Sequence, residues 1–453
     1  MTDVAERTEL LELADRVVGW ADDGEELEAY VVRGRDTEVR AYEGEVEAFT
    51  SAESAGLGIR VIRDGRQGFA YAGTLDVDVL ESTLADARDN ATFATPEDWV
   101  ALVGPDGVDA ADVDLWSDAL AGVADDRKIA MALELESAAR SADPRISAVE
   151  SADYADSMVE SAIASTAGIR GTARRTGCYV SVSVLATEGD ETQTGFGFSV
   201  GRDLDAIVLG DAVDDATDRS TRMLGAVKPE SERLTVVLDP YVTAQLLSIV
   251  GGTLNAESVL KGRSLFADRI GDEVAAPIVT LVDDPTDTRF FTAGRLDAEG
   301  LATRRNPLIE GGVLRQYVHN STTATRMGTT STGSAVRGGY ASTPGVGCRA
   351  LTLAPGELSR DELLAGVERG VLIQSVKGLH SGVNPVSGDF STGAEGLRIV
   401  DGQVGEPLRE FTIASTLQRM LLDVRAVGND VDFLPMSAAG QSVVVDGVTM
   451  SGR

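Results

Sequence analysis

Histidine, cysteine and lysine are nearly missing from this chain of 453 residues. It holds two histidines, His319 and His380, two cysteines, Cys178 and Cys348, and four lysines, Lys128, Lys228, Lys261 and Lys377. Each scarcity removes a class of chemistry. No HExxH or HExxxH occurs, so no helix carries the paired histidines and glutamate of a catalytic zinc site. The cysteines lie far apart and fit no metal or redox spacing, which leaves two ordinary thiols in a reducing compartment. Neither G-x-x-x-x-G-K-[ST] nor G-x-G-x-x-G after a buried strand is present, and G-x-S-x-G is absent too. No apolar run approaches the ~20 residues needed to span a bilayer. The opening MTDVAERTELLELADRVVGWADDGEELEAY is acidic and amphipathic and lacks both a basic and an apolar leader region, so a soluble cytoplasmic protein without membrane association is expected.

Positive charge is scarce as well. Acidic residues number 73 against 40 basic ones, a formal charge of -33, and the excess is spread through the chain rather than blocked. Arginine in place of lysine on an acidic surface suits a protein working in molar salt, where screening within ~3 Å removes self-repulsion. A halophilic, archaeal-type cytoplasm is the expected setting. Nucleic-acid binding is disfavoured, because no basic stripe exists to neutralise phosphates.

What the chain does have is glycine, gathered most densely in GLHSGVNPVSGDFSTGAEG, Gly378 to Gly396. Glycines there permit positive φ and close backbone approach, and His380, Asn384, Ser387, Asp389, Ser391 and Thr392 offer side chains able to bond nearby or bound peptide groups. The segment reads as a substrate or interface loop able to take an extended peptide by strand addition, with a solvated surface loop as the alternative. His319 and His380 are the only candidates for proton transfer near neutrality, and a structural role is the plainer reading of each. Asp283, Asp284 and Asp287 could gather a hard cation, but in so acidic a chain they read first as a solvated turn.

The patterning predicts two units. Residues 1–225 form a mixed α/β unit, 226–234 (AVKPESERL) a linker, and 235–453 a β-rich unit; the class is α/β, of α+β type. The first unit opens with a helix over Glu9 to Asp22. Short strands LEAYVVR, TEVRAYEG and EVEAFTS follow, then a hairpin at Arg63 to Gly65, helices near Val77–Asn90 and Asp126–Ala142, strands at Ile146–Ser151 and Ser157–Thr166, a hairpin turning at Glu188–Asp190, and a helix over Asp203–Met223. In the second unit LTVVLD is a buried strand leading into a helix whose Val242, Leu246, Leu247, Val250 and Leu254 form an apolar stripe. Gly251-Gly252 within it suggests close approach of another element. Further helices are expected near Ser359–Arg369 and Ile413–Asp423.

The glycine-rich segment, with FTIASTLQRML, AVGNDVD, the upstream LDAEGLATRRNPLIEGGVLRQYVHNSTTATRMGTTSTG and the ending VVVDGVTMSGR, resembles the TldD/PmbA family, and its PmbA (TldE) branch in particular. The resemblance implies an α/β first domain, a β-rich second domain and a pair of subunits, of which the TldD type carries zinc on an HExxxH helix with a third, cysteine ligand near its C-terminus. Counting back from the shared turn Gly262 to Phe266, that helix falls on Leu247 to Glu257. Leu247 and Gly252 then stand at the two histidine positions and Ser248 at the glutamate, while SAAGQSVVVDG offers no thiol. The resemblance therefore implies a non-catalytic subunit without metal or cofactor of its own, lending groove and interface to a zinc-bearing TldD-type partner that acts on peptides. The alternative is a stand-alone peptide-binding or structural homodimer.

Overall fold

The structure, a computed structural model, describes residues 2–453. Its first half is built on one antiparallel sheet. Helix α1 (Thr2–Val18) precedes strands β1 (Glu26–Tyr42), β2 (Glu45–Arg63) and β3 (Arg66–Ala72); helices α2 (Val77–Phe93), α3 (Asp118–Ala121) and α4 (Asp125–Ser141) intervene; strands β4 (Ile146–Ser165), β5 (Arg170–Glu188) and β6 (Glu191–Gly201) complete the order β3-β2-β1-β4-β5-β6, and α5 (Leu209–Thr221) follows. The turns Glu43-Gly44 and Asp64-Gly65 place positive φ at both central residues, 53° and 80° in one and 51° and 70° in the other, whose twist matches that of the strands. The second is the hairpin expected at Arg63 to Gly65.

Several predicted short strands are halves of longer ones. LEAYVVR and TEVRAYEG run on as β1 because β2 and β4 both pair across Gly34 to Asp36, so no break forms there. The strands expected at Ile146–Ser151 and Ser157–Thr166 are likewise one, with bulges near its start. The first helix stops at Val18, and the helix expected from Asp203 begins as a single 3-10 turn, Leu204–Ala206, before α5. The length of β1 lets it serve two cores. Leu27, Ala29 and Val31 pack with α1 and α2, whereas Val39 and Ala41 pack with α4 and α5.

The second half begins with β7 (Glu232–Leu238), α6 (Pro240–Thr253) and α7 (Ala256–Leu260). A region of short elements comes next: β8 (Leu281–Asp283), β9 (Asn306–Glu310), β10 (Val313–Leu314), α8 (Ser321–Met327), β11 (Ala335–Val336), β12 (Gly345–Val346), β13 (Leu351–Leu353) and α9 (Arg360–Ala365). Then follow β14 (Arg369–Lys377), α10 (Leu379–Gly382), β15 (Asp389–Val400), β16 (Gln403–Thr416), α11 (Leu417–Leu422), β17 (Val424–Val427) and β18 (Val443–Ser451). The strands run β16-β15-β14-β7-β18-β17, and β16 pairs again with β18, closing five of them into a barrel. Alternate residues enter different cores: Val236 and Leu238 of β7 and Val443 and Val445 of β18 face the cluster that holds α6, while Val237 and Val444 face Leu363 and Leu364 of α9. The helix expected from Ile413 starts only at Leu417, because Ile413 to Thr416 finish β16 against β15 and β18.

Residues 226–234 are stitched to the second half. Val227 bridges Leu408, and the Arg453 N–H donates to the Pro229 carbonyl. Between the halves, Asp239 is fully buried and caps α6 through the Tyr241 N–H while pairing with Arg219 of α5 at 2.9 Å and Arg360 of α9 at 3.1 Å. Arg219 also donates to the Gln374 carbonyl of β14 and to Asp215. Removing one partner from such a buried set leaves a desolvated charge behind, so Arg219→Ala is expected to cost about 3–5 kcal/mol. The exposed Arg127–Glu134 pair on α4, cut by Arg127→Ala, is expected to cost under about 1 kcal/mol. Urea unfolding of both variants at one fixed molar salt concentration checks the contrast.

Candidate functional site

Helix α6 owes its place to Asp239 at its N-cap, Pro240 at its first turn and an apolar stripe. Val242, Leu246, Leu247, Val250 and Leu254 are all buried, as their spacing predicts. Leu247 faces an apolar cavity of about 50 Å³ walled by Leu246, Val250, Leu353, Met420 and Val443. The Ser248 hydroxyl donates to the Ala244 carbonyl at 3.0 Å. Only one of the two glycines answers a close approach: a Cβ on Gly251 would collide with Leu351, whereas nothing lies within 4 Å of one on Gly252.

The segment Ser437 to Gly440 lies against the same place. The Leu351 N–H donates to the Ser437 carbonyl at 2.9 Å and the Ala439 N–H to the Leu351 carbonyl at 2.9 Å. Gly440 abuts the Pro240 carbonyl so tightly that a side chain there would collide with it. Leu351 thus bridges the end of α6 to Ser437–Gly440, two segments nearly two hundred residues apart in sequence.

The glycine-rich segment divides in two. His380 sits exposed on α10, and the Ser381 hydroxyl is tied to the Gly378 carbonyl. Asn384 accepts from the Val386 and Ser387 N–H groups, the Ser387 hydroxyl donates to Asp389 at 2.7 Å, and Gln418 donates to the Ser387 carbonyl. Asn384, Ser387 and Asp389 therefore form one exposed, internally bonded turn. From Asp389 onward the chain is strand, not loop. Ser391 points outward, but Thr392 alternates inward with Phe390 and is 2 % exposed, so it is no surface contact. Strand addition has no free edge at Asp389 to Thr392 either: β16 occupies one side, and Val383 and Asn384 pair with Phe390 and Asp389 on the other.

His319 is buried, and desolvation holds its imidazole below the ordinary histidine range. Its main chain is clasped by Ser331 and Thr332: both hydroxyls donate to the His319 carbonyl, and the His319 N–H donates back to Thr332. Asp283 departs from the solvated turn expected of it, being fully buried with Oδ1 accepting from the Arg349 and Ala350 N–H groups at 2.8 and 2.7 Å. Asp284 is used by Thr286 and Asp287 by Arg289, so the three carboxylates do not converge. Among the described residues no three His, Cys, Asp or Glu side chains gather as a metal-ligating group.

Beside Cys348, whose Sγ lies 3.9 Å from the Gly251 carbonyl, a cavity of about 300 Å³ opens between the halves. The first half supplies its walls from β1, β4 and β5 (Tyr30, Ile163, Arg174, Arg175), and the second from Leu296, Asp297, Arg337, Arg349 and Ser437 among others. None of His380, Asn384, Ser387, Asp389, Ser391 or Thr392 lines it. Gly294 is required here, since a side chain would strike the Arg349 guanidinium, which donates to the Leu296 and Thr292 carbonyls at 3.1 Å each.

Three family profiles match the chain in order: PmbA/TldA metallopeptidase domain 1 over residues 27–91, the central domain over 118–224 and the C-terminal domain over 231–452. The chain belongs to the TldD/PmbA family. It is 26 % identical to the metalloprotease PmbA of Escherichia coli over 86 % of this chain and 84 % of that one, and 28 % identical to a metalloprotease of Methanothermobacter thermautotrophicus over 91 % and 90 %. The crystal structure of TldE from Thermococcus kodakarensis shares the fold, with a TM-score of 0.88, 22 % identity and coverage of 98 % of this chain and 99 % of that one. No helix among the described residues is long and apolar enough to cross a membrane.

The catalytic branch of the TldD/PmbA family implies zinc, and the donor chemistry at α6 does not suit it. Leu247 presents hydrocarbon to hydrocarbon, Gly252 has no side chain, and the Ser248 hydroxyl is spent on the helix. Sequence reasoning passed over the five arginines of the inter-half cavity. The doubled Arg174-Arg175 of β5, in a chain so poor in positive charge, was the available signal, but nothing in the sequence places Arg295, Arg337 and Arg349 beside it.

Two predictions follow from this geometry. Gly251→Ala is expected to destabilise by about 1–3 kcal/mol through overpacking against Leu351, and Gly252→Ala to stabilise by up to about 1 kcal/mol through helix propensity; paired denaturant titrations read the opposite signs. Burial, opposed by its two N–H donors, pushes the Asp283 carboxyl up to about 6 from 3.8. A folded pKa raised above the unfolded one gives stability that is complete below the unfolded value and lost as pH rises through about 6. Asp283→Asn keeps an acceptor for both N–H groups and puts its amide where Oδ2 has no partner. It is expected to remove a decline on the order of 2–3 kcal/mol between pH ~4 and ~7, measured by melts at constant salt.

Proposed function

We propose that this chain is the non-catalytic subunit of a cytosolic TldD/PmbA-type metallopeptidase of a halophilic cell, supplying substrate groove and subunit interface while a zinc-bearing TldD-type sister hydrolyses peptides. The observation that carries the reading is the fate of the ligand-bearing segments. The helix end around Leu247 to Gly252 and the stretch Ser437 to Gly440 still meet across Leu351, yet the Cys348 thiol beside the Gly251 carbonyl is not joined there by further donors, and no three His, Cys, Asp or Glu side chains gather as a metal-ligating group among the described residues. A scaffold kept after its donors are gone serves binding or assembly. The relatives named metalloproteases support the peptide-processing context, and the acidic, arginine-weighted surface supports molar salt as the working medium.

The test is affinity isolation of the tagged chain from its own cells in molar salt, with mass spectrometry of co-purifying proteins and metal analysis. The expected result is an HExxxH-bearing sister in equal amount, with about one zinc per pair. Recovery of this chain alone and metal-free would favour the stand-alone peptide-binding homodimer. Stoichiometric zinc and peptide cleavage by the purified chain alone would overturn both readings.

A further inference from the structure

The chain's charge balance inverts at one place. Acids outnumber bases 73 to 40 overall. Yet the inter-half cavity is lined by five arginines, Arg174, Arg175, Arg295, Arg337 and Arg349, and by one carboxyl, that of Asp297. Asp297 does little to balance them. Its oxygens accept from the Glu299, Leu301 and Ala335 N–H groups, and burial with Glu299 nearby pushes its carboxyl up to about 7.

The five guanidiniums differ in what holds them. Arg337 pairs with Glu28 of β1, which also takes Arg60 at 2.6 Å, so one carboxylate serves two arginines; the Nη1 of Arg337, on a side chain 2 % exposed, has no hydrogen-bond partner. Arg174 stacks on Trp116, with Glu160 opposite it in the β4–β5 register. Arg349 forms no ion pair and donates only to carbonyls; desolvation first, then the like charge of Arg175, lowers its pKa, against the opposing pull of Asp283 and Asp297. The Arg175 and Arg295 side chains are exposed and make no ion pair or hydrogen bond among the described residues. Three positive groups thus face one cavity without an ion pair to a carboxylate. Like charges held together this way cost stability unless an anion joins them, and fork-shaped guanidinium donors suit a carboxylate. Tyr30, Ile163, Leu296 and Val336 supply apolar wall between them, as an organic anion requires and a bare inorganic ion does not.

We propose that this cavity anchors a peptide by a carboxylate, either its C-terminal group or an Asp or Glu side chain, held by Arg175, Arg295 and Arg349. The assignment rests on the peptide-groove reading above and gives that groove a polarity: the anchored end lies between the halves, next to the end of α6. Arg175 and Arg295 are exposed, so the part-buried Arg349 is the member of the set whose contact salt screens least.

The experiment uses the full-length chain in molar potassium chloride and fluorescence anisotropy of dansyl-pentaalanine. Three probes are compared: the free acid, the C-terminal amide, and an amide with glutamate in place of the fourth alanine. The free acid or the glutamate amide is expected to bind about tenfold more tightly than the plain amide, whichever of the two does so naming the source of the carboxylate. The Arg175→Gln/Arg295→Gln double variant should lose that preference without a fall in its melting temperature, since neither side chain bonds another residue and their loss relieves like-charge repulsion. Equal binding of all three probes, or a preference that survives in the double variant, would overturn the anchor while leaving the groove standing. Failure of every probe to bind would sink the groove reading and the anchor with it.

Discussion

A carboxylate taken wholly out of water has to be met by cations, and Asp239 is met by two, one from each side of the molecule. Arg219 comes from α5 of the first half and Arg360 from α9 of the second, while the same aspartate begins α6. The desolvation of three charges is repaid only when all three are in place, so the arrangement fixes the halves in one relation rather than adding much net stability. Gln374 tightens it by accepting from Arg222 and donating to the Arg219 carbonyl. Wherever α6 sits, the first half must sit accordingly, and the cavity between them follows from that fit.

A second junction is built the same way. Glu28 of β1 receives Arg60 from the neighbouring strand and Arg337 from the far half, all three nearly buried. Small residues then allow the surfaces to close: Gly171 and Gly177 of β5 lie where a side chain would meet Leu296 and Phe291 of the second half. The closed junction leaves a hollow rimmed by arginine. The chain's acidic balance inverts at that hollow, where five arginines face one carboxyl.

Helix α6 is held by packing. Leu247 fills with hydrocarbon what the resemblance assigns to histidine, and the apolar stripe that keeps the helix buried needs no metal to hold it. Leu247 belongs to that stripe itself, packed in the core with Leu246 and Val250. The glycine-rich segment divides instead between turn and strand. Its composition suggested one long loop, but Phe390, Thr392 and Ala394 alternate inward as β15 does, and the turn proper ends at Gly388.

Local periodicity, turn chemistry and missing residue types were legible in the sequence by itself. They determined the mixed α/β class, the Arg63–Gly65 hairpin, the buried face of α6 and the absence of an HExxxH donor set, because each depends on residues within a few positions of one another. Strand length was not legible: β1 continues through Gly34 only because partners on both sides extend past it. The two-arginine grip on Asp239, the meeting of α6 with Ser437–Gly440 and the clustering of five arginines about one cavity were decided by tertiary structure alone. Arg360 and Asp239, Gly251 and Ser437, and Arg174 and Arg349 each lie more than a hundred positions apart, and buried charge and close packing select such neighbours through geometry that no local pattern encodes.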